Sequence, residues 1–189
     1  MGKRDEVIVR EALDADREAI RQVMLDAYEE YAAVIPSSLW TAYRASISEA
    51  VEGGEPTDRL VAEDGGRIIG SALLYLGSES AYGRADLGIY GPIIRYISVL
   101  PSARGRGAAT SLLREGAARS LARGHNSLHL HTSDMMASAV RLYERLGFER
   151  AYDKEFHNGS TLVKSYRIYL PGNPFVLGGA GQAIQREVR

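Results

Sequence analysis

The chain has 189 residues, 45% of them hydrophobic and 25% charged, the balance of a globular domain of ordinary size. Its 23 Lys and Arg against 24 Asp and Glu give a formal charge of -1, which speaks against general nucleic-acid binding, where a basic excess is the rule. Cysteine is absent, so disulfides, thiolate metal sites and a cysteine nucleophile are excluded.

Met1 to Arg10 alternates charged and apolar residues and lacks a signal-peptide core. Gly2 is followed by Glu6 where a myristoylation motif wants Ser or Thr. Apolar stretches such as Ala72–Leu76 are too short to span a bilayer. The expectation is a soluble cytoplasmic protein that engages neither membrane nor nucleic acid.

Val7 to Leu13 reads as a first strand. Asp14 caps a helix whose apolar residues Ile20, Val23, Met24, Ala27, Tyr28 and Tyr31 recur at helical steps. Pro36 opens a second helix with Trp40, Tyr43, Ile47 and Val51 as its stripe, closed by Gly53 and Gly54. Two strands follow, Arg59–Glu63 and Arg67–Leu76, joined by the hairpin signal Asp64-Gly65-Gly66. Gly77 to Gly91 reads as a loop, and Ile93 to Val99 as a buried strand ended by Pro101. Gly105 to Ala122 is a helix, Leu128 to Thr132 a strand, and Ser133 or Asp134 caps a helix to Leu146. Phe148–His157 and Leu162–Leu170 form a last hairpin around Asn158-Gly159.

The fold class expected from this order is α+β. Helices flank a mixed, mostly antiparallel sheet of about seven strands, with one parallel strand–helix–strand crossover from Ile93 to Thr132. Residues 1–170 are expected to form one domain, and the Gly-rich 171–189 a tail or arm.

The chemistry is concentrated where the strand Ile93–Val99 runs into Leu100-Pro101-Ser102-Ala103-Arg104-Gly105-Arg106-Gly107-Ala108-Ala109-Thr110. Glycine lets a ligand approach the main chain. The first amides of the following helix have no internal acceptor and, with the helix dipole, suit a phosphate or pyrophosphate. Arg104 and Arg106 add positive charge. A P-loop is disfavoured because Ala108 and Ala109 stand where Lys and Ser or Thr are required, and a dinucleotide fingerprint because Thr110 replaces the third small residue. The plain alternative is a loop merely shaped by two glycines.

The pattern Val99, Pro101, Arg104, Gly105, Gly107, Ala109 resembles the GNAT superfamily of N-acetyltransferases. A second family signature is matched by Ala139, Leu142, Tyr143, Gly147 and Phe148. The resemblance is strongest over Ile93–Phe148 and implies acetyl-CoA, or another acyl-CoA, as donor. It implies that the amides of Arg104, Gly105, Arg106, Gly107, Ala108, Ala109 and Thr110 hold the pyrophosphate. It also implies that the backbone of Ile97, Ser98 and Val99 pairs with the pantetheine arm, and that the Val99 amide faces the thioester oxygen, where negative charge grows. Where the family often carries Asn, this chain has Met136; Ser133 or Ser138 is the candidate to replace that contact.

The implied reaction is direct acyl transfer in a ternary complex to an amine, either a small molecule or a protein amino group. An alkyl ammonium of pKa about 10.4 is only about one part in a thousand free amine at neutral pH, so the acceptor needs a base. Tyr143 is the candidate acid for the departing thiolate. On helical spacing alone, Ala139, Leu142, Tyr143 and Leu146 are equally a packing stripe. Strand parity places Ile93, Arg95 and Ile97 where some relatives carry a Glu or His base. Asp86, Glu63, Asp134, His129 and His131 remain candidate bases. Arg95 is a candidate for an acceptor carboxylate, or a strand-end residue reaching solvent. No metal site is expected, and a homodimer is compatible with the chain. The competing readings are an acyl-CoA-binding sensor without catalysis and a nucleotide-binding protein of another kind.

Overall fold

A computed structural model of the chain describes residues 7–178; Gly2, Glu6 and most of the expected tail lie outside them. The chain divides into two compact units, one of residues 7–74 and Tyr96–Leu113, the other of Tyr75–Arg95 and residues 114–178.

The first unit begins with β1 (Ile8–Glu11) and α1 (Arg17–Tyr28). Between them the Asp16 carboxylate accepts from the Leu13 amide at 2.7 Å and from Arg10 Nη1 at 2.8 Å. Arg10 also donates to Glu63 at 2.6 Å, which ties this corner to the neighbouring strand. The helix ends at Tyr28 and continues as a 3₁₀ turn, 29–33, instead of running unbroken toward Pro36. The second helix, α2 (Ser37–Glu52), starts immediately after that proline. Ile20, Val23 and Met24 of α1 and Ile47 and Val51 of α2 are almost wholly buried, each adding about 1.5–3 kcal/mol of apolar burial.

Strands β2 (Asp58–Asp64) and β3 (Arg67–Leu76) pair antiparallel, and β1 pairs antiparallel with β2. The end of β4 (Pro92–Val99) lies against β3: the Leu100 amide donates to the Ile69 carbonyl at 2.9 Å. At Gly70 a Cβ would stand 2.9 Å from the Ser98 carbonyl oxygen and 3.3 Å from Leu112 Cδ1. The missing side chain is what lets the two strands close here.

In the second unit β4 begins beside β5 (Ser127–Thr132) in parallel, with Ile93 opposite His129. The other pairings of this unit are antiparallel: β8 (Thr161–Tyr169) with β5, with β6 (Glu149–Arg150) and with β7 (Phe156–Asn158). The fold is therefore of the expected class, α+β with a mixed, mostly antiparallel sheet and flanking helices.

Three local expectations are corrected. The run Phe148–His157 is two short strands around a 3₁₀ turn, 152–154, so the described chain has eight strands, not about seven. Gly77–Gly91 contains α3 (Ser78–Tyr82), whose five residues are too few to show a period. Helix α4 (Ala108–Ala122) starts three residues after Gly105, and α5 (Ala137–Arg145) is preceded by a 3₁₀ turn, 134–136, whose N-cap is Ser133. The described part of the Gly-rich C-terminal segment includes α6 (Pro174–Leu177), capped by Asn173 Oδ1, which accepts from the Phe175 amide at 3.0 Å.

Candidate active site

The loop that joins β4 to α4 belongs to the first unit. A 3₁₀ turn, Pro101–Ala103, lifts the chain off the strand, and Gly105 and Gly107 follow at φ 77 and 85. That left-handed region is cheap for glycine and strained for other residues. A Cβ at either position would meet nothing within 4 Å, so the space over the loop is open. Inside α4 the Ser111 amide reaches the Gly107 carbonyl at 2.9 Å. The amides of Ala108, Ala109 and Thr110 precede that first turn and have no carbonyl of their own helix to reach. The result is a cluster of N–H dipoles at the positive end of a four-turn helix, a physical cradle for a diphosphate.

The two loop arginines are not free cations. Arg104 Nη1 donates to Glu30 Oε2 at 2.9 Å, and Nη2 donates to Glu30 Oε1 at 3.0 Å and to the Ala27 carbonyl at 3.2 Å. Arg106 pairs with Asp64, the last residue of β2. The loop is thereby anchored at one end to α1 and its 3₁₀ extension and at the other to a hairpin. The positive charge expected of these arginines is partly cancelled by their partners.

Just before the loop, Tyr96 has φ 51, the one described non-glycine residue with positive φ. Its carbonyl accepts from Ser98 Oγ at 2.9 Å and its hydroxyl lies 2.8 Å from Ser46 Oγ. This kink breaks the alternation of β4. Arg95, Tyr96 and Ile97 are all half-buried, while Ile93 and Ile94 are almost wholly buried. The parity that aligned Ile93, Arg95 and Ile97 on one face therefore does not run through Tyr96. Nothing in the residue types announced it, because tyrosine is not a left-handed residue. Ser98 is buried, and Ile97 and Val99 are half-buried.

Apart from Glu63, which Arg10 holds in the first unit, the remaining site candidates belong to the second unit. Tyr143, on α5, is 7% exposed, with its ring centroid 6.0 Å from Phe148 and 6.5 Å from Tyr166. Tyr143 is the one buried residue of α5, while Ala139, Leu142 and Leu146 of the expected stripe are half-buried. Ser138 is exposed in the first turn of α5, and Met136 is the cap residue of that helix.

Arg95 is held inside this unit. Nη1 donates to the Ala81 carbonyl, and the guanidinium lies 4.2 Å from the Tyr82 ring centroid and 5.8 Å from that of Tyr75. It is therefore not a strand-end side chain trailing into solvent. Tyr82 in turn lies 2.8 Å from His131 Nδ1, and His131 Nε2 lies 3.3 Å from the Lys154 carbonyl. A carbonyl only accepts, so Nε2 carries the proton and the Tyr82 hydroxyl donates into Nδ1. Burial is the largest cause pushing both His129 and His131 down to about 4. Each imidazole is neutral near pH 7, which fits structural roles better than that of a strong base. Among the described residues no group of three or more His, Asp or Glu could hold a metal ion, and no helix is long and apolar enough to cross a membrane.

Residues 17–148 match the model of the acetyltransferase (GNAT) family. A curated mouse protein, "Probable N-acetyltransferase family 8 member 5" (Mus musculus), is 31% identical over 90 residues, covering 48% of this chain but only 37% of the relative's length. The paia N-acetyltransferase of Thermoplasma acidophilum, solved in complex with coenzyme A, superposes with a TM-score of 0.63 at 13% identity, over 86% of this chain and 99% of that one. The ribosomal-protein-S18-alanine N-acetyltransferase of Escherichia coli gives a TM-score of 0.60 at 17% identity, over 87% and 94%. At such identities the structural likeness establishes the fold, while the sequence match, over well more than half the chain, establishes the lineage: this chain belongs to the GNAT acetyltransferase family.

Proposed function

We propose that the protein transfers an acetyl group from acetyl-CoA to an amine, on a small molecule or a protein, by direct attack within a ternary complex. The observation that carries this reading is the loop of the first unit. Two left-handed glycines and an uncovered helix N-terminus offer amide donors to a diphosphate. The coenzyme A complex of the Thermoplasma relative supports the choice of donor, and the family supports the acetyl group.

The amides from Arg104 to Thr110 bind the pyrophosphate, and Arg104 and Arg106, pinned by Glu30 and Asp64, hold that stretch in shape. The backbone of Ile97, Ser98 and Val99 receives the pantetheine arm, with Ser138 as a further polar contact. The Val99 amide polarises the thioester carbonyl and stabilises the oxyanion as the amine adds. The amine nitrogen forms a bond to the acetyl carbon, the carbon–sulfur bond breaks, and Tyr143 protonates the departing thiolate. A phenol is a fair donor to a thiolate of comparable basicity. The amine's own proton leaves through water, since His129 and His131 are too weakly basic to hold it.

The test is CoA release from acetyl-CoA across a panel of small amines and amino-terminal peptides. Turnover with one class is expected. Tight acetyl-CoA binding with no turnover for any amine would leave a sensor in place of an enzyme.

A further inference from the structure

A cavity of about 390 Å³ in the second unit is lined by Ser127 and His129 of β5, Glu149 of β6, Arg167 and Tyr169 of β8, and Asn126 among others. None of the residues assigned above to the donor or to proton transfer lines it.

His129 is 7% exposed, and its Nδ1 is buried without a hydrogen-bond partner. Its Nε2 is 3.5 Å from Ser127 Oγ, at the outer limit of a bond. Nδ1 has almost no accessible surface, so the ring and Ser127 contribute to the cavity as lining and Nδ1 is not the contact atom. Because burial keeps the ring neutral, it supplies polar contact and no charge.

The charges come from its neighbours in the sheet. Arg167 stands directly opposite His129 on one side and Glu149 on the other. The three side chains thus form one row on one face across β5, β8 and β6, with strands about 4.8 Å apart. Facing Arg and Glu on adjacent strands ordinarily pair. Here Arg167 Nη1 instead sits 3.6 Å from Asp153, and the Glu149 carboxylate has no ion-pair or hydrogen-bond partner among the described residues. A simple anion on Arg167 would be opposed by Glu149, and a simple cation on Glu149 by Arg167. A ligand carrying both signs on groups one carbon apart satisfies the two together.

We propose that this cavity binds a free α-amino acid, with its carboxylate on Arg167, its ammonium on Glu149, and His129 and Ser127 completing the polar wall. Asn173, also at the cavity, is already committed: its Oδ1 caps α6 and its Nδ2 donates to the Tyr169 carbonyl at 2.9 Å.

The experiment is calorimetric titration of the full chain, without acetyl-CoA, with a panel of free α-amino acids and with acetate and methylammonium as singly charged controls. At least one amino acid is expected to bind saturably, with both controls weaker by about tenfold or more. Arg167→Gln and Glu149→Gln should each weaken that binding by about tenfold and leave acetyl-CoA affinity unchanged. Both side chains lie on the surface, so the variants fold, which circular dichroism verifies. The ring nitrogen shifts of His129 should move on titration. Acetate binding as tightly as the amino acid would make this an anion site. No binding by any amino acid would make it a water-filled cavity, and binding that survives both substitutions would place the site elsewhere. Each of these results overturns the proposal. None bears on acyl transfer, which is read separately.

Discussion

Arg104 forks onto the Glu30 carboxylate, at 2.9 and 3.0 Å, from a loop more than seventy residues further along the chain. Both side chains are nearly half exposed, 44% and 46%, so the pair adds at most about 1 kcal/mol to stability. Its greater effect is on shape, because it fastens the main chain on which the proposed diphosphate site depends. Arg104→Ala and Glu30→Ala should each weaken acetyl-CoA binding by about two- to tenfold, and the double variant should be little worse than Arg104→Ala alone. Calorimetric dissociation constants for the three variants check this. Full affinity in Glu30→Ala beside a loss in Arg104→Ala would mean that Arg104 acts as a charge and not as an anchor.

Gly107 has φ 85 and open space around it. A valine there meets no neighbour but forces a β-branched residue into the left-handed region, at a cost of about 1–2 kcal/mol. The loop should relax away from its amide-out shape. Gly107→Val should therefore lower acetyl-CoA affinity by at least about tenfold while the fold persists, as equilibrium titration and circular dichroism will register.

Gly70 is a different kind of glycine. Its backbone is ordinary, but a Cβ would press to 2.9 Å from the Ser98 carbonyl. Gly70→Ala should cost about 1–3 kcal/mol of unfolding free energy through overpacking, measured by urea denaturation. Because it shifts the strand bearing Ser98 and Val99, kcat should fall as well.

His129 and His131 are both depressed to about 4 by burial, below the 6.5 of an exposed imidazole. The unfolded chain then binds more protons than the folded one between about pH 6.5 and about pH 4. Their contribution is fully present above about pH 6.5 and is lost as the pH falls toward about 4, on the order of a few kcal/mol for the pair. Urea midpoints measured across that window should fall with pH, and more gently in His131→Gln. A flat profile would contradict the neutral, buried imidazoles described above.

The parts of this fold that follow a period were legible in the chain. The stripes of α1 and α2, the hairpin at Asp64-Gly65-Gly66 and the glycines of the Arg104–Thr110 loop each carry a local signal that tertiary packing left intact. What escaped was set by contacts distant in sequence. Tyr96 adopts a left-handed backbone inside a strand, which its residue type does not encode. Nothing local in the sequence pairs Glu30 or Asp64 with a loop arginine; folding places each beside one. Tyr82 and His131, nearly fifty residues apart, could not be joined by spacing at all. The glycine loop is local and readable; the ion pairs that hold it and the Tyr82–His131 contact join remote pieces and are not.

Tyr143 separates an enzyme from a binding module. Tyr143→Phe keeps the ring that packs near Phe148 and Tyr166 and removes only the hydroxyl. The expected result is a fall in kcat of about a hundredfold or more with an unchanged dissociation constant for acetyl-CoA. Unchanged turnover would remove Tyr143 from the reaction.

A crystal structure with CoA decides whether the loop amides hold the diphosphate. The diphosphate oxygens are expected within hydrogen-bond reach, about 2.7–3.2 Å, of the main-chain amides between Gly105 and Thr110. A diphosphate lodged anywhere else, with those amides facing solvent, would contradict this placement.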